Sequence, residues 1–281
     1  MAIRVSSYMT SPVITARPTD TLAHIRNLML RHKIGRIVIT QGEKPIGIVT
    51  KTDFVKVLSL QRKRYRPLDD ITASEVMSRE LIVIERNRSI KTAAKIMIRH
   101  NISGLPVIDS RGNLVGIITL TDIVRAYSEN FQGKLKVGQV MRTKPTTVRP
   151  LHSLYHVIEA LSRDEAKKVI VVDGNRPIGV ITQSDIVFLS IPLTLTYRDK
   201  IIKKTVILEK GRATTIRFYM MPVASDIMTP NPLTIGPFED LALAAETMIK
   251  NNISCLPVVD EESNLLGIVT KLEVAKGITK V

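Results

Sequence analysis

Four copies of one short motif place a hydroxyl side chain three residues before a carboxylate. The pairs are Thr50 with Asp53, Thr119 with Asp122, Thr182 with Asp185, and Thr270 with Glu273. Each pair follows a glycine and two apolar residues typical of a strand, and it precedes apolar residues at helical spacing. A helix beginning there would present free backbone amides, the hydroxyl and the carboxylate at one corner. Such a corner can bind an anion, and a short carboxylate can bind the vicinal hydroxyls of a sugar.

The same motif also has a purely structural interpretation. Thr-x-x-Asp or Thr-x-x-Glu before a helix is a capping box, which closes the helix N-terminus without any ligand. Losing such a cap costs about 1 kcal/mol. Three copies use Asp although Glu or Gln is the commoner residue at this position, which favours a ligand at those three corners. Both interpretations stay open at the level of sequence.

A second landmark, a methionine followed by a polar loop, precedes each motif at a nearly fixed distance. The interval is 41 residues from Met9 to Thr50 and from Met141 to Thr182, and 42 residues from Met77 to Thr119 and from Met228 to Thr270. Fixed spacing of two landmarks indicates internal repeats. Between them lie an apolar run, a helical pattern, a β-branched strand and a turn, so each unit reads as β-α-β-β-α. Units this small bury a core poorly alone, so we expect them to pair.

The spacing predicts four repeats and one insert. We place the repeats at 1–60, 70–128, 135–192 and 223–281, with a linker at 61–73 and a short link at 129–136. The insert, 193–222, contains seven Lys and Arg residues against two acidic ones. Its alternating pattern around the sequence EKGR predicts an exposed basic hairpin.

The Met loops, the strands NISGLPVID and NISCLPVVD, and the Gly-apolar-apolar-Thr-x-x-acid motifs resemble the CBS (cystathionine-β-synthase) domain family over nearly the whole chain. The resemblance implies a fold of the α/β (α+β) class, in which four repeats pair into two modules arranged as a disk. Four repeats in one chain look like the nucleotide-sensing γ subunits of AMP-activated protein kinase and their archaeal relatives. The expected function is therefore non-catalytic regulation or energy sensing through AMP, ADP or ATP, with S-adenosylmethionine as another candidate ligand.

The resemblance also implies the residues that contact a nucleotide. Carboxylates and hydroxyls for the ribose side are Thr50, Thr52, Asp53, Thr119, Thr121, Asp122, Thr182, Ser184, Asp185 and Thr270. Residues flanking adenine are Ile14, Thr15, Ile82, Val83, Thr146, Thr147, Leu233 and Thr234. Basic residues for phosphate are Arg36, Lys167 and Lys168. Repeat 4 departs from the pattern with Leu272 and Glu273, so we expect its ribose site to be weak or empty.

Other chemistry has little support in the sequence. We expect no cofactor and no metal, because His152 and His156 have ligand spacing but no third ligand beside them. No nucleotide-hydrolysis motif is present, so we expect no enzyme. Cys255 is the single cysteine, which excludes an intramolecular disulfide and suits a reducing cytoplasm. No apolar run reaches the length of a membrane span, so we expect no membrane partner.

The net charge of +15 leaves the partner open. A chain this basic attracts polyanions, which include nucleotides, nucleic acids and acidic protein surfaces. One alternative is therefore a nucleic-acid-binding protein that uses its basic surface and the 193–222 insert. Another is a structural adaptor whose motifs are only helix caps. A regulated protein partner is expected but not identifiable, and a homodimer is compatible with the sequence.

Overall fold

A computed structural model describes residues 3–60, 66–188, 201–207, 213–219 and 222–281. Repeat 1 contains β1 (Thr15–Ala16), α1 (Leu22–Arg31), β2 (Arg36–Gln41), β3 (Lys44–Thr50) and α2 (Lys51–Leu60). Repeat 2 contains α3 (Ala73–Val76), β4 (Ile84–Glu85), α4 (Ile90–Arg99), β5 (Gly104–Ile108), β6 (Leu114–Thr119) and α5 (Leu120–Asn130). The order strand, helix, hairpin, helix is that expected from the sequence.

The second half of the chain repeats this order around an inserted hairpin. Repeat 3 contains β7 (Thr147–Val148), α6 (Leu154–Arg163), β8 (Lys168–Asp173), β9 (Arg176–Thr182) and α7 (Gln183–Val187). The insert contributes β10 (Ile201–Ile207) and β11 (Ala213–Tyr219), which pair antiparallel. Repeat 4 contains α8 (Ala224–Ile227), β12 (Thr229–Pro230), α9 (Leu241–Lys250), β13 (Cys255–Val259), β14 (Leu265–Thr270) and α10 (Lys271–Lys280).

Each repeat builds one small sheet. In repeats 1 to 3 the short first strand runs parallel to the second, which pairs antiparallel with the third. In repeat 4 a single parallel bridge from Ile235 to Val258 takes the place of the first strand. Within the described parts of the chain, no helix is long and apolar enough to span a membrane.

Repeats 1 and 2 exchange their N-terminal segments, and repeats 3 and 4 do the same. Thr10 of repeat 1 bridges Ile117 in β6, while Ser78 of repeat 2 bridges Ile48 in β3. In the other pair the segment before β7 lies on β14, and β12 pairs antiparallel with β9. The predicted pairing of repeats into two modules is confirmed, and the exchange explains why a single unit does not need to bury its core alone.

The two sequence landmarks meet in this exchange. A Cβ placed on Gly116 would lie 2.6 Å from the sulfur of Met9, and one on Gly47 would lie 2.5 Å from that of Met77. The same contact joins Met228 to Gly179 and Met141 to Gly267. A methionine of one repeat therefore fills the space left by the missing side chain of its partner, which accounts for the fixed pairing of both residue types.

Helices join the two modules to each other. One hydrophobic core contains α4 and α5 of repeat 2 together with α9 and α10 of repeat 4, and a second core is shared by repeats 1 and 3. In the second contact α2 packs on α7. Around the molecule the order of repeats is therefore 1, 2, 4, 3, and the starts of β2, β5, β8 and β13 lie toward the centre of this ring.

Candidate functional site

The capping boxes predicted at the strand-to-helix corners are present. Asp53 Oδ2 accepts hydrogen bonds from the Thr50 amide at 2.8 Å and from its hydroxyl at 2.7 Å. Asp122 Oδ2 accepts both bonds from Thr119 at 2.8 Å, and the Thr182–Asp185 pair has the same arrangement. One carboxylate oxygen closes each corner, so the capping interpretation is correct. It does not exclude a ligand, because the second oxygen lies outside the cap.

The second carboxylate oxygen has only weak partners. Asp53 Oδ1 lies 3.9 Å from the amine of Lys56, and Asp122 Oδ1 lies 3.5 Å from the guanidinium of Arg125. Burial raises the pKa of Asp122, and the hydrogen bonds from Thr119 offset part of this rise. A buried carboxylate with an incompletely bonded oxygen gains from further hydrogen-bond donors, and the vicinal hydroxyls of a ribose are such donors.

The corner of repeat 4 has the same cap but a different neighbouring residue. Glu273 is 2% exposed, and its Oε2 accepts from the amide and hydroxyl of Thr270. Its Oε1 lies 3.7 Å from the amine of Lys276, and Leu272 is buried beside it. The ion-pair distance of this second oxygen is like those of Asp53 and Asp122, so repeat 4 differs in having the buried Leu272 where the other repeats have a hydroxyl. That arrangement agrees with the expectation of a weak or empty ribose site there, which stays a prediction.

Basic side chains from three repeats gather at the centre of the ring. Each stands at the first residue of an element, and each is partly buried. Among the described residues none of them forms an ion pair with a carboxylate. We call this set the central cation cluster, and its members are Arg36, Lys51, Lys168 and Lys271.

Two of these cations bond hydroxyls across the boundary between modules. Lys51 Nζ donates to Ser184 Oγ at 2.7 Å, which links repeat 1 to repeat 3. Lys271 Nζ donates to Thr121 Oγ1 at 2.9 Å, which links repeat 4 to repeat 2. The hydroxyls carry no charge to balance the two amines, and the Lys51 amine also lies over the ring of Phe188, 5.1 Å from its centre.

Arg36 reaches from repeat 1 into repeat 2. Its guanidinium donates to the carbonyl and the hydroxyl of Ser103. The guanidinium occupies the space where a side chain on Gly104 would lie, so a larger residue there would displace the Arg36 side chain. Repeat 2 has Gly104 where repeat 1 has the basic residue Arg36. In the structure, the Arg36 side chain of the neighbouring repeat occupies the space beside Gly104.

The charges of the cluster act on one another. The pKa of both Lys51 and Lys271 is lowered to about 8, mainly by burial and also by the nearby charges of Lys168 and Arg36. Burial lowers the pKa of Arg36 to about 10. Asp122 and Asp185 attract these cations from a distance but do not pair with them. The cluster is therefore a region of unbalanced positive charge, which favours an anion.

The remaining predicted hydroxyl, Thr52, also lies at this boundary. Thr52 Oγ1 accepts a hydrogen bond from Gln183 Nε2 of repeat 3 at 3.0 Å. This bond joins repeats 1 and 3, as the bond from Lys51 to Ser184 does. The three hydroxyls two residues after each corner threonine thus lie beside the neighbouring repeat across the module boundary. These hydroxyls and the amines of Lys51 and Lys271 therefore lie along the same boundary between modules.

The three predicted phosphate residues separate in the structure. Arg36 and Lys168 belong to the cluster, whereas Lys167 Nζ donates to the Ser162 carbonyl at 2.8 Å. Lys51 and Lys271 were not predicted from sequence. The signal was a lysine between the two hydroxyl positions of repeat 1, and its recurrence in repeat 4.

The residues predicted to flank adenine lie at or just before the first strand of each repeat, but they differ in their surroundings. Ile14 and Ile82 are half-buried against the two cores, while Leu233 is 48% exposed. The Thr146 hydroxyl donates to Asp164 Oδ2 at 2.8 Å, and Arg142 donates to the same oxygen at 2.6 Å. Thr15, Val83, Thr147 and Thr234 are partly or fully exposed along these segments.

The paired histidines show an aromatic contact. Their rings, on His152 and His156, lie 4.3 Å apart in an edge-to-face arrangement, and His152 Nδ1 accepts from the Arg149 amide. Over the parts of the chain that the structure describes, no group of three or more potential ligands surrounds a metal position.

Comparison with known proteins gives matches along most of the chain. The family model described as CBS domain matches residues 5–60, 73–129, 137–191 and 224–280. Uncharacterized protein MJ1225 of Methanocaldococcus jannaschii is 24% identical over 276 residues, which are 94% of each chain. Its crystal structure, described as a candidate archaeal homologue of γ-AMPK, covers 98% of this chain and 99% of its own, with 23% identity and a TM-score of 0.80.

Two further relatives define the extent of the likeness. An uncharacterized conserved protein from Pyrococcus horikoshii covers 98% of this chain and all of its own, with 20% identity and a TM-score of 0.67. L-Aspartate semialdehyde sulfurtransferase of M. jannaschii is 36% identical over 134 residues, which are 47% of this chain but only 26% of that enzyme. The two structural matches show the shared fold, and the enzyme match covers about a quarter of the enzyme.

Proposed function

Because the chain belongs to the CBS domain family, we propose that it is a non-catalytic regulatory protein that binds adenine nucleotides between its paired repeats. The observation that carries this proposal is the central cation cluster, which lies near the corner carboxylates Asp122 and Asp185 without pairing with them. A nucleotide offers matching groups in one molecule, since its ribose donates hydrogen bonds and its phosphates carry negative charge.

Each part of the nucleotide has a counterpart in this arrangement. The ribose hydroxyls donate to the outer oxygens of Asp53, Asp122 and Asp185, and adenine lies against the apolar segments before the first strands. The phosphate accepts hydrogen bonds from the cluster. Charge-assisted hydrogen bonds of this kind contribute about 1.5–3 kcal/mol each.

The same arrangement supports a regulatory role. The cluster joins repeats of both modules through the Lys51–Ser184 and Lys271–Thr121 bonds. A phosphate that attracts these amines changes the contacts between modules, so the ligand has a different affinity for two module arrangements. Such a difference is what allows a ligand to shift a conformational equilibrium.

Calorimetric titration with AMP, ADP, ATP and S-adenosylmethionine tests the proposal. We expect binding of at least one adenine nucleotide, and we expect Asp→Asn changes at 53, 122 and 185 to weaken it. If these changes alter only the free energy of unfolding, the corners are caps and the chain is an adaptor. No binding of any of the four compounds at millimolar concentration contradicts the proposal.

A nucleic-acid-binding function is the second candidate. It is favoured by the antiparallel pairing of β10 and β11 inside a segment rich in Lys and Arg, and by the net charge of +15. Binding of duplex DNA or RNA that weakens steeply with salt, and that is lost on deleting 193–222, would support it. Absence of binding at about 50 mM salt would dismiss it.

A further inference from the structure

The strand-to-helix corner of repeat 4 is less accessible than the other three corners. Thr270 is 1% exposed and Leu272 is 6% exposed. In the other repeats the corner threonine and the hydroxyl two residues later are all partly exposed; these residues are Thr50, Thr52, Thr119, Thr121, Thr182 and Ser184. The same capping hydrogen bonds are present at all four corners, so the cap does not explain the difference. Another part of the chain must cover the corner of repeat 4.

One residue of each exchanged segment lies beside the corner of the partner repeat. The residue after each landmark methionine pairs antiparallel with the strand residue two positions before the corner threonine. Residues opposite each other in such a pair share a face of the sheet, and so do residues two apart in one strand. The bridging side chain is therefore on the same face as the corner threonine. It is a small exposed hydroxyl in Thr10, Ser78 and Thr229, whereas at the corner of repeat 4 it is Arg142.

Arg142 is held at this position by both its backbone and its side chain. Its backbone exchanges two hydrogen bonds with Ile268 of β14, each 3.0 Å long. Its Nη1 donates to Asp164 Oδ2 at 2.6 Å, and the side chain of Asp164 is 0% exposed. Asp164 is itself fixed, because it accepts hydrogen bonds from the Lys168 amide at 3.0 Å and from the Thr146 hydroxyl at 2.8 Å. The ion pair therefore joins repeat 3 to the face of β14 that carries the corner threonine.

The single thiol of the chain lies on the same face. Cys255 is directly opposite Thr270 in the β13–β14 ladder, and it packs with Ile268 and with Ile170 of repeat 3. The pKa of this thiol is raised to about 11, mainly by burial and also by the charges of Asp164 and Glu273. Cys255 therefore lies near both the ion pair and the corner carboxylate, and its accessibility reports whether this corner is open.

The stability of the fold does not account for the ion pair. Arg142 Nε and Nη2 are buried and have no acceptor in the part of the chain that the structure describes. Buried donors without an acceptor destabilise a fold, and burying an ion pair costs desolvation. Asp164 would still close the turn before β8 through its bonds to the Lys168 amide and the Thr146 hydroxyl. What Arg142 adds is bulk and charge at a position where the other repeats have a small hydroxyl.

We infer that the Arg142–Asp164 ion pair is an internal plug, which closes the corner of repeat 4 to ligands. Arg142 thereby determines which of the four corners can take a ligand. The closure itself is a property of the chain, and only the identity of the excluded ligand as a nucleotide rests on the function proposed above. Three corners remain partly exposed, and the fourth is occupied by side chains of the protein itself.

Alkylation of Cys255 by iodoacetamide tests the closure without any nucleotide. The double variant Arg142→Thr, Asp164→Asn has the residues that repeat 4 carries at the equivalent positions, Thr229 and Asn251. Changing both residues leaves no unpaired buried charge. We expect the folded double variant to be alkylated at least about tenfold faster than the natural chain, because the thiol becomes accessible. Gly116→Ala is the control, since it disturbs the other module and should leave the alkylation rate unchanged.

A second variant transfers the plug to a corner that is partly exposed. Thr10→Arg with His100→Asp places the same two residue types beside the corner of Asp122, and both positions are exposed, so the fold should tolerate them. We expect this variant to bind one AMP fewer per chain than the natural protein, as counted by calorimetry. Thr10→Arg alone lacks the carboxylate that fixes the arginine, and it should leave the count unchanged.

The outcomes separate this inference from the proposed function. An unchanged alkylation rate in the double variant, or an equal increase in Gly116→Ala, overturns the plug and leaves nucleotide binding standing. An unchanged AMP count in the transfer variant also overturns it, and decides the question if the double variant does not fold. If the natural chain binds no nucleotide, the proposed function fails, and faster alkylation of the double variant alone still supports the plug.

Discussion

The amine of Lys51 lies 2.7 Å from the hydroxyl of Ser184, and this bond joins repeat 1 to repeat 3 across the boundary between the modules. Lys271 and Thr121 form the equivalent bond between repeats 4 and 2 at 2.9 Å. The proposed phosphate site is therefore also a set of contacts between modules. A ligand that binds these lysines therefore contacts groups that hold the two modules together.

Replacing Lys51 by glutamine tests the charge of this contact. Glutamine can still donate to Ser184 but carries no charge, so we expect ATP affinity to fall about tenfold. The free energy of unfolding should not fall, because a cation near Lys168 and Arg36 is removed. Calorimetry and urea denaturation measure both quantities. Unchanged affinity for ATP would show that Lys51 does not contact the phosphate.

Replacing Asp122 by asparagine separates capping from ligand binding. The change weakens the cap, at a cost of about 1 kcal/mol, and weakens the acceptor for the ribose. Asp109→Asn is the matched control, because Asp109 Oδ1 accepts from the amides of Arg111 and Asn113 in a turn. We expect both variants to lose stability and only Asp122→Asn to lose nucleotide affinity. Equal affinities in the two variants would leave Asp122 with a capping role alone.

The lowered pKa of Lys51 and Lys271, about 8 in the folded chain against 10.5 normally, predicts a pH dependence. Between these values the unfolded chain binds more protons, so these two groups increase the free energy of unfolding as pH rises. The stabilisation is absent below about pH 8, where the lysines are protonated in both states.

Phosphate binding should change in the opposite direction over the same range. Neutral lysines attract anions less, so ATP affinity should fall as pH rises above about 8. Denaturation and calorimetry from pH 7 to 10 should show both trends in the natural protein. Both should be reduced in the Lys51→Gln, Lys271→Gln double variant. Identical pH profiles for the two proteins would contradict this assignment.

A methyl group on Gly116 should disturb the exchange between repeats 1 and 2. Because its Cβ would lie 2.6 Å from the Met9 sulfur, we expect Gly116→Ala to lower the free energy of unfolding by about 1–3 kcal/mol. Gly236→Ala is the control, since its Cβ would meet its nearest neighbour, Glu239, at 3.7 Å. Combining Gly116→Ala with Met9→Ala should cost less than the sum of the two changes. Strict additivity would show that the contact is not the cause.

Glu273 should behave unlike the three corner aspartates. Its carboxylate caps α10 through the Thr270 amide, and Leu272 replaces the hydroxyl found beside the other corners, so Glu273→Ala should lower stability by about 1–2 kcal/mol. Nucleotide affinity should remain unchanged, while Asp185→Ala should weaken it. An affinity loss on Glu273→Ala equal to that of Asp185→Ala would mean that repeat 4 also binds ribose.

The repeat, the element order and the helix caps could be predicted because each depends on residues close in sequence. The order of the repeats around the ring could not be predicted from the sequence. The interval between the Met and Gly landmarks is nearly the same in every repeat, so it does not reveal that Met9 meets Gly116 and not its own Gly47. That choice depends on the exchange of segments, which is a contact between distant parts of the chain.

The sequence predicted some residues of the candidate site and missed others. The family resemblance implied Arg36 and Lys168 as phosphate contacts, yet it could not separate Lys168 from its neighbour Lys167. Lys51 and Lys271 stand at the first residue of a helix, where lysine commonly faces solvent. Their partners lie 133 and 150 residues away in the chain, so only the assembled ring shows what they contact.

A crystal structure of the chain grown with ATP would test the central claim most directly. We predict the ribose hydroxyls within hydrogen-bond distance of a corner aspartate, and phosphate oxygens in contact with Lys168 and Arg36. Corners and a cluster occupied only by water at millimolar ATP would contradict the account.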